Sequence, residues 1–323
     1  MKEWELSYYR SPLGWNGKQT TFDENLVKTE FETLRRAGIS CIGIQGAGHI
    51  NGAFPFDLGK VVGRIVKLMK INGIRVSSFH FSGTTINAMS SSQKTVRENM
   101  LKDIEAFAPF KPRAFVVHSW CPEIRSEGDP LGMQTYARMA RKHGHEVLMK
   151  TIAGNLKFMA KTAARYNIKI ALETMSKFMP PGDKELPSLA EMIDEPNAGY
   201  CLDAGHVHAF GGNVVEVIQM MGNRIFETHL HDNRALGANL RRKFADLKDF
   251  SCDEHLSPGF GTIPWVDVIN ALRDIGFSGP ATFETDGWPY IKDKVESYRQ
   301  AIAWWRTCEA LATEKHKCGK HLK

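Results

Sequence analysis

Short runs of consecutive apolar residues alternate with longer stretches in which apolar positions recur every three or four residues, and the alternation repeats about eight times along the chain. A short apolar run bounded by turn formers predicts a strand covered on both faces, and the wider spacing predicts a helix with one buried stripe. The strand segments are WELSYY, SCIGIQG, IRVSSFHF, AFVVHSW, IKIALE, GYCLDA, RIFETHLH and PATFET. Between the first two, Asp23 caps a helix that places Val27, Phe31 and Leu34 on one face and stops at Gly38. A second helix from Val61 to Met69 stops at Gly73, and a longer one carries Ile152, Leu156, Met159, Ala160 and Ala163 before Asn167 terminates it. The last carries Val295, Tyr298, Ile302 and Trp305.

Strand and helix in strict alternation predict a parallel sheet, and eight units predict an α/β fold of the (β/α)8 TIM barrel type in a single domain over residues 1–312. The basic segment 313–323 is expected to be a disordered tail. Two long connections break the rhythm, Pro122 to His145 after the fourth strand and Asp232 to Thr262 after the seventh. Both follow strand C-termini, the side on which such barrels build their pockets.

Composition narrows the classes. Lys and Arg exceed Asp and Glu by 42 to 36, a net +6 that lies partly in KHKCGKHLK and in Arg241, Arg242 and Lys243, so no nucleic-acid partner is expected. MKEWELSYY lacks the layout of a signal peptide and no apolar run approaches ~18 residues, which points to a cytoplasmic protein with no membrane contact. Cysteines at 41, 121, 201, 252, 308 and 318 form no CxxC pair, and reduced, buried thiols are expected.

Chemistry enters at the strand exits. Glu173, Asp203, His229 and Glu284 close IKIALE, AGYCLD, RIFETH and PATFE. Two glutamates, an aspartate and a histidine brought together would repel one another and lose hydration unless a cation neutralised them, so this set predicts one divalent metal ion: Mn²⁺, Co²⁺, Mg²⁺ or Zn²⁺. Nearby lie His80 and His118 at the exits of the third and fourth strands, His206 and His208 after Asp203, His231 and Asp232 after His229, and Asp253 with His255. These can orient the ligands, bind substrate hydroxyls or hold further metals; His208 and His231 are read as structural or supporting, and His49, His143 and His145 as surface or cap residues. Trp15, Trp120, Trp265 and Trp288 are candidate pocket walls, and the turn Pro258-Gly259-Phe260-Gly261 offers backbone N–H groups to an anion.

ALET, CLDAGH, THLHDN, DEHLSPGFGTIPW and FET, in that order over nearly the whole chain, resemble the xylose isomerase-like barrels, which include sugar isomerases and epimerases, inosose dehydratases and endonuclease IV. The resemblance implies that Glu173, Asp203, His229 and Glu284 are the ligands of a single catalytic metal and that Glu173 and Glu284 also exchange protons with substrate. It further implies substrate contacts from His206 and Arg234, to which His80, His118, His255, Trp120 and Trp288 are added as candidates. His80, His118, Glu173, Asp203, His206, His229, Asp253, His255 and Glu284 also stand in the order of the nine ligands of the three-zinc site of endonuclease IV, although ETMSKF departs from the nuclease pattern.

The expectation is therefore a metal-dependent sugar isomerase or epimerase working through an enediolate on a small carbohydrate, as a homo-oligomer or beside a partner subunit. The alternatives are a lyase on the same scaffold, either an inosose-type dehydratase or an enzyme cleaving C-glycosides through 3-oxo-glycosides; a trinuclear zinc phosphodiesterase; and a non-catalytic carbohydrate-binding subunit.

Overall fold

The computed structural model describes residues 3–10, 22–44, 58–81, 93–119, 133–175, 184–236 and 252–321. Eight parallel strands form the sheet: β1 (Leu6–Arg10), β2 (Cys41–Ile44), β3 (Arg75–Phe81), β4 (Ala114–Val117), β5 (Lys169–Glu173), β6 (Ala198–Asp203), β7 (Ile225–His229) and β8 (Ala281–Phe283). Each pairs with its sequence neighbour and β1 also pairs with β8. The ring closes between β7 and β8 through a single bridge, Leu230 to Phe283, with Leu230 N donating to Thr282 O at 2.8 Å and Glu284 N to Leu230 O at 3.2 Å. All eight predicted strands are present.

Helices fill the crossovers: α1 (Glu24–Ala37), α2 (Leu58–Asn72), α3 (Gln93–Phe107), α4 (Met133–His143), α5 (His145–Ala164), α6 (Leu186–Ile193), α7 (Ala204–Ala209), α8 (Val214–Met221), α9 (Trp265–Asp274) and α10 (Lys294–His321). In α1, Asp23 Oδ1 accepts from Asn25 N at 2.9 Å and Gly38 takes the left-handed conformation at φ 85°, as the sequence predicts. The stripe Val27, Phe31, Leu34 is buried, and so is that of α5.

Successive strand residues point alternately outward and inward. Outward residues such as Tyr8, Phe79, Phe115, Leu172, Leu202 and Phe283 join the helix stripes in the main core. A second, smaller core of Ala114, Val116, Ala171, Cys201 and Phe226 lies apart from the main one, and the chemical residues stand at the C-terminal ends of the strands. Gly43 shows how tightly the interior is filled: a Cβ there would lie 2.9 Å from Tyr9 Cδ2 and 3.1 Å from Ser78 Oγ.

Two expectations are corrected. The Pro122 to His145 connection contains α4, whose Tyr136, Met139 and Ala140 pack on the core at helical spacing. The expected disordered tail from 313 is helical to His321, because EALATEKHK is built from strong helix formers without proline and Lys315 Nζ reaches Asp267 Oδ1 of α9 at 2.5 Å.

Candidate metal centre

Strand alternation delivers the four predicted ligands to one point. Glu173, Asp203 and His229 are the last residues of β5, β6 and β7, Glu284 follows β8, and all four are on the inward parity. Their ligand atoms lie within 4.8 Å of one another. His229 Nδ1 faces Glu173 Oε1 at 2.6 Å, Glu284 Oε2 at 3.2 Å and Asp203 Oδ2 at 3.9 Å. One ring nitrogen can hydrogen-bond only one of these carboxylates, Glu173 is the nearest, and Glu284 Oε2 is buried without a hydrogen-bond partner. A donor set of three carboxylates around one imidazole, with an orphaned buried oxygen, fits a hard or borderline divalent cation.

Glu173 also joins a second group. Its Oε2 lies 2.8 Å from His80 Nε2 and 2.8 Å from His118 Nε2. A third group, His206, His231, Asp253 and His255, lies on the other side of Asp203. His206 Nε2 and His255 Nε2 are 3.1 and 3.0 Å from Asp253 Oδ2, His231 Nε2 is 3.0 Å from Asp203 Oδ1, and the His231 and His255 rings stack with centroids 3.9 Å apart. The structure thus brings all nine residues of the longer motif series together. His231, read as supporting, contacts Asp203 directly.

Local chain geometry explains the motif spacings. Asp203 is the N-cap of α7, accepting from His206 N at 2.7 Å, so the Asp-x-x-His interval places the imidazole over its own cap. Thr174 locks β5 to β6, accepting from Asp203 N at 2.8 Å and donating to Asp203 O at 3.1 Å. Gly205 makes room for His231: a Cβ there would fall 2.1 Å from the ring.

Charge follows the crowding. Burial alone would raise the Glu173 carboxyl, but His80, His229 and His118 hold it well below the usual carboxylate range. Burial is likewise overcome at Glu284, which His229 holds low. Burial opposes charge on His206, yet Asp203 and Asp253 raise it well above the usual imidazole range, and His255 is raised to about 9 against burial by Asp253 and Glu284. Burial lowers His118 despite its bond to Glu173.

Other expectations fare differently. Arg234 pairs with Glu254, donating from Nε to Oε1 at 2.8 Å, and lines the same cavity as His255. Trp265 is not a pocket wall: it is buried in the core with Nε1 donating to Asp232 Oδ2 at 2.8 Å. Asp232 also accepts from Gly259 N at 2.9 Å and Ile263 N at 3.1 Å, so the anion held by the Pro258 to Gly261 turn is this side chain. His208 bonds Thr262 Oγ1 at 2.8 Å, and His145 is tied to Tyr136 and Glu185. Trp288 lines a cavity of about 520 Å³ beside His255. Trp15, Trp120 and His49 lie outside the described residues. Cys41, Cys201 and Cys308 are buried free thiols, and Cys252 is buried.

Two inward residues, Tyr9 and Glu227, escaped the sequence reading, and a third, Cys201, was read only as a buried thiol. Tyr9 packs on His229 with ring centroids 4.7 Å apart, Cys201 offers sulfur beside Glu173 and His229, and Glu227 lies fully buried on the strand of His229. Burial raises the Glu227 carboxyl even though Oε1 accepts from Thr282 Oγ1 at 2.7 Å. Counting back by two from His229 and Asp203 along their strands would have found Glu227 and Cys201.

The sequence model of the xylose isomerase-like TIM barrel family matches residues 31–308. The chain belongs to this family. It is 31% identical over 164 residues to an uncharacterised protein of Methanocaldococcus jannaschii, a match covering 49% of this chain and 50% of that protein. It is 21% identical over 296 residues to an inosose dehydratase of Clostridium botulinum, covering 88% and 91%. The chain spans half or less of the length of the first of the curated relatives it matches. A D-psicose 3-epimerase from Clostridium cellulolyticum H10, solved with D-tagatose, superposes with a TM-score of 0.65 at 14% identity, covering 94% of this chain and 99% of that one.

Proposed function

We propose that this family member is a sugar isomerase or epimerase that relays a proton between Glu173 and Glu284 through an enediolate. The observation that supports it is the pair of buried carboxylates, from β5 and beyond β8, which both approach His229 Nδ1 within 3.2 Å. A divalent cation held by Glu173, Asp203, His229 and Glu284 would supply Lewis-acid polarisation of a carbonyl and its neighbouring hydroxyl, acidifying the C–H between them. One glutamate then takes that proton, the C–H electron pair enters the enediolate, and the other returns a proton. Which of the two acts first depends on the face presented. His206, which Asp203 and Asp253 raise well above the usual imidazole range, has Nδ1 3.1 Å from Thr174 O and Nε2 3.1 Å from Asp253 Oδ2, so a substrate oxygen would have to take the place of Asp253 to receive its proton. The epimerase and dehydratase among the similar proteins favour this class of chemistry. Elimination from the same enediolate is its neighbour, distinguished by whether a group leaves.

A second reading has its own observation. His80, His118 and Glu173 on one side, and His206, His231, Asp253 and His255 on the other, are further groups able to hold metal. Three metals would suit a phosphodiesterase, which clamps a phosphate and activates a water. Metal analysis of the purified protein separates the two. One equivalent of divalent metal, lost in an Asp203→Ala variant, supports sugar chemistry; three equivalents with cleavage of an abasic duplex support the phosphodiesterase.

A further inference from the structure

Beside the metal centre, a cavity of about 520 Å³ is lined by His255, Phe260, Trp288, Tyr290 and Lys294 among others, within the ~300–1,000 Å³ of pockets that enclose organic ligands. Its position is fixed by His255, which lines it, bonds Asp253 through Nε2 at 3.0 Å and contacts Glu284 O through Nδ1 at 3.3 Å. A substituent on the carbon that Glu284 serves therefore has room one imidazole away.

The aromatic floor is held rigidly. Trp288 N donates to Ser297 O at 3.2 Å, Trp288 O accepts from Ser297 Oγ at 2.9 Å, and the indole meets Phe260 edge to face with centroids 4.8 Å apart. Buried Ser257 donates to Gly287 O and anchors the same loop. At the rim stands Tyr290, 97% exposed and at φ 67°. A bulky residue rarely adopts that backbone, and a tyrosine almost wholly in water gains no burial there in exchange. Both peculiarities are accounted for if the ring closes over a bound partner.

The charges favour an uncharged occupant. Arg234 is engaged by Glu254, and Lys294 Nζ donates to Asp286 O at 2.9 Å with Asp286 Oδ1 at 3.8 Å. Arg234, Lys294 and His255, the three basic groups of the lining, already have carboxylate neighbours in Glu254, Asp286 and Asp253, so the lining offers no unbalanced positive charge beside the rings of Trp288 and Tyr290. Flat apolar faces with polar groups around them suit a sugar ring or an aryl ring.

We propose that the cavity is a second-ring subsite, so that the substrate is a glycoside whose reacting sugar sits at Glu173 and Glu284 and whose attached uncharged ring stacks on Trp288 and Tyr290. This rests on the sugar reading of the metal centre for the placement of the reacting ring, but the cavity can be tested without turnover. Calorimetric titration of the full-length, metal-loaded protein with methyl β-glucoside, phenyl β-glucoside and cellobiose should give about tenfold tighter binding for at least one of the two-ring compounds. Phenyl against cellobiose tells an aryl ring from a second sugar. Tyr290→Ala should remove most of that advantage, and Tyr290→Phe should keep it. Equal affinity for all three glucosides, or an advantage untouched in Tyr290→Ala, overturns the subsite. So does inorganic phosphate or glucose 6-phosphate binding more tightly than every glucoside, which would make Arg234 and Lys294 an anion site. Two-ring binding without any proton exchange would keep the subsite and count against the isomerase reading; exchange on free sugars with no two-ring preference would do the reverse.

Discussion

Glu173 is approached by His80, His118 and His229 at 2.8, 2.8 and 2.6 Å, so three elements of the site meet on one carboxylate. Under the proposed function, removing that charge would disturb metal binding, the neighbouring imidazoles and proton transfer together. Glu173→Gln and Glu284→Gln are each predicted to lower turnover by at least ~10³, with substrate affinity far less affected. Steady-state kinetics with metal content measured alongside will check this; near-normal rates in metal-loaded variants would remove both residues from the reaction. A pH effect belongs to the same scale. His255 is raised from 6.5 to about 9 in the fold, so its contribution to stability is complete below 6.5 and lost as pH rises through about 9. His206 acts in the same sense. Thermal melts of the metal-free protein should show Tm falling across that interval, and Asp253→Asn, which removes the shared partner, should flatten the fall.

Strands and turns set where those residues stand. Asp232, just after β7, gathers Gly259 N, Ile263 N and Trp265 Nε1, and Gly261 packs so closely that a Cβ would lie 2.3 Å from Asp232 Oδ1. Asp232→Ala should leave several buried donors unpaired and cost on the order of 2–4 kcal/mol. Urea unfolding is the measurement, and an unchanged midpoint would contradict the structural role. The eight strands were legible because burial on both faces leaves continuous apolar runs, and the convergence of Glu173, Asp203, His229 and Glu284 because each ends such a run. Asp232 was misread as a chemical residue because its sequence neighbours, His231 and Asn233, look like metal chemistry, whereas its partners lie some thirty positions onward. Glu227 was missed because a glutamate in the middle of a strand reads as solvated unless the barrel interior is considered. The helix α4 was hidden by a connection whose start resembles a loop, and the end of α10 by its basic charge, which masks good helix propensity.

Across the whole molecule, eight strand exits converge on one mouth, and the match to the xylose isomerase-like family covers residues 31–308. No described helix is long and apolar enough to cross a membrane. The net +6 is modest and partly carried by the C-terminal segment, so duplex DNA should not be retained at moderate salt, where counterion release weakens any non-specific hold. A filter-binding titration at two salt concentrations checks this; tight, strongly salt-dependent binding would turn attention to the phosphodiesterase. The central claim is proton transfer without loss of any group, and isotope exchange meets it most directly. The Mn²⁺-loaded protein should be incubated in D₂O with ketoses, inososes and 3-oxo-glucosides and followed by NMR and mass spectrometry. The account predicts deuterium on the reacting carbon of a stereoisomer or positional isomer whose mass is otherwise unchanged, abolished by Glu173→Gln. A smaller product, with water or an aglycone released and no isomer formed, would contradict it.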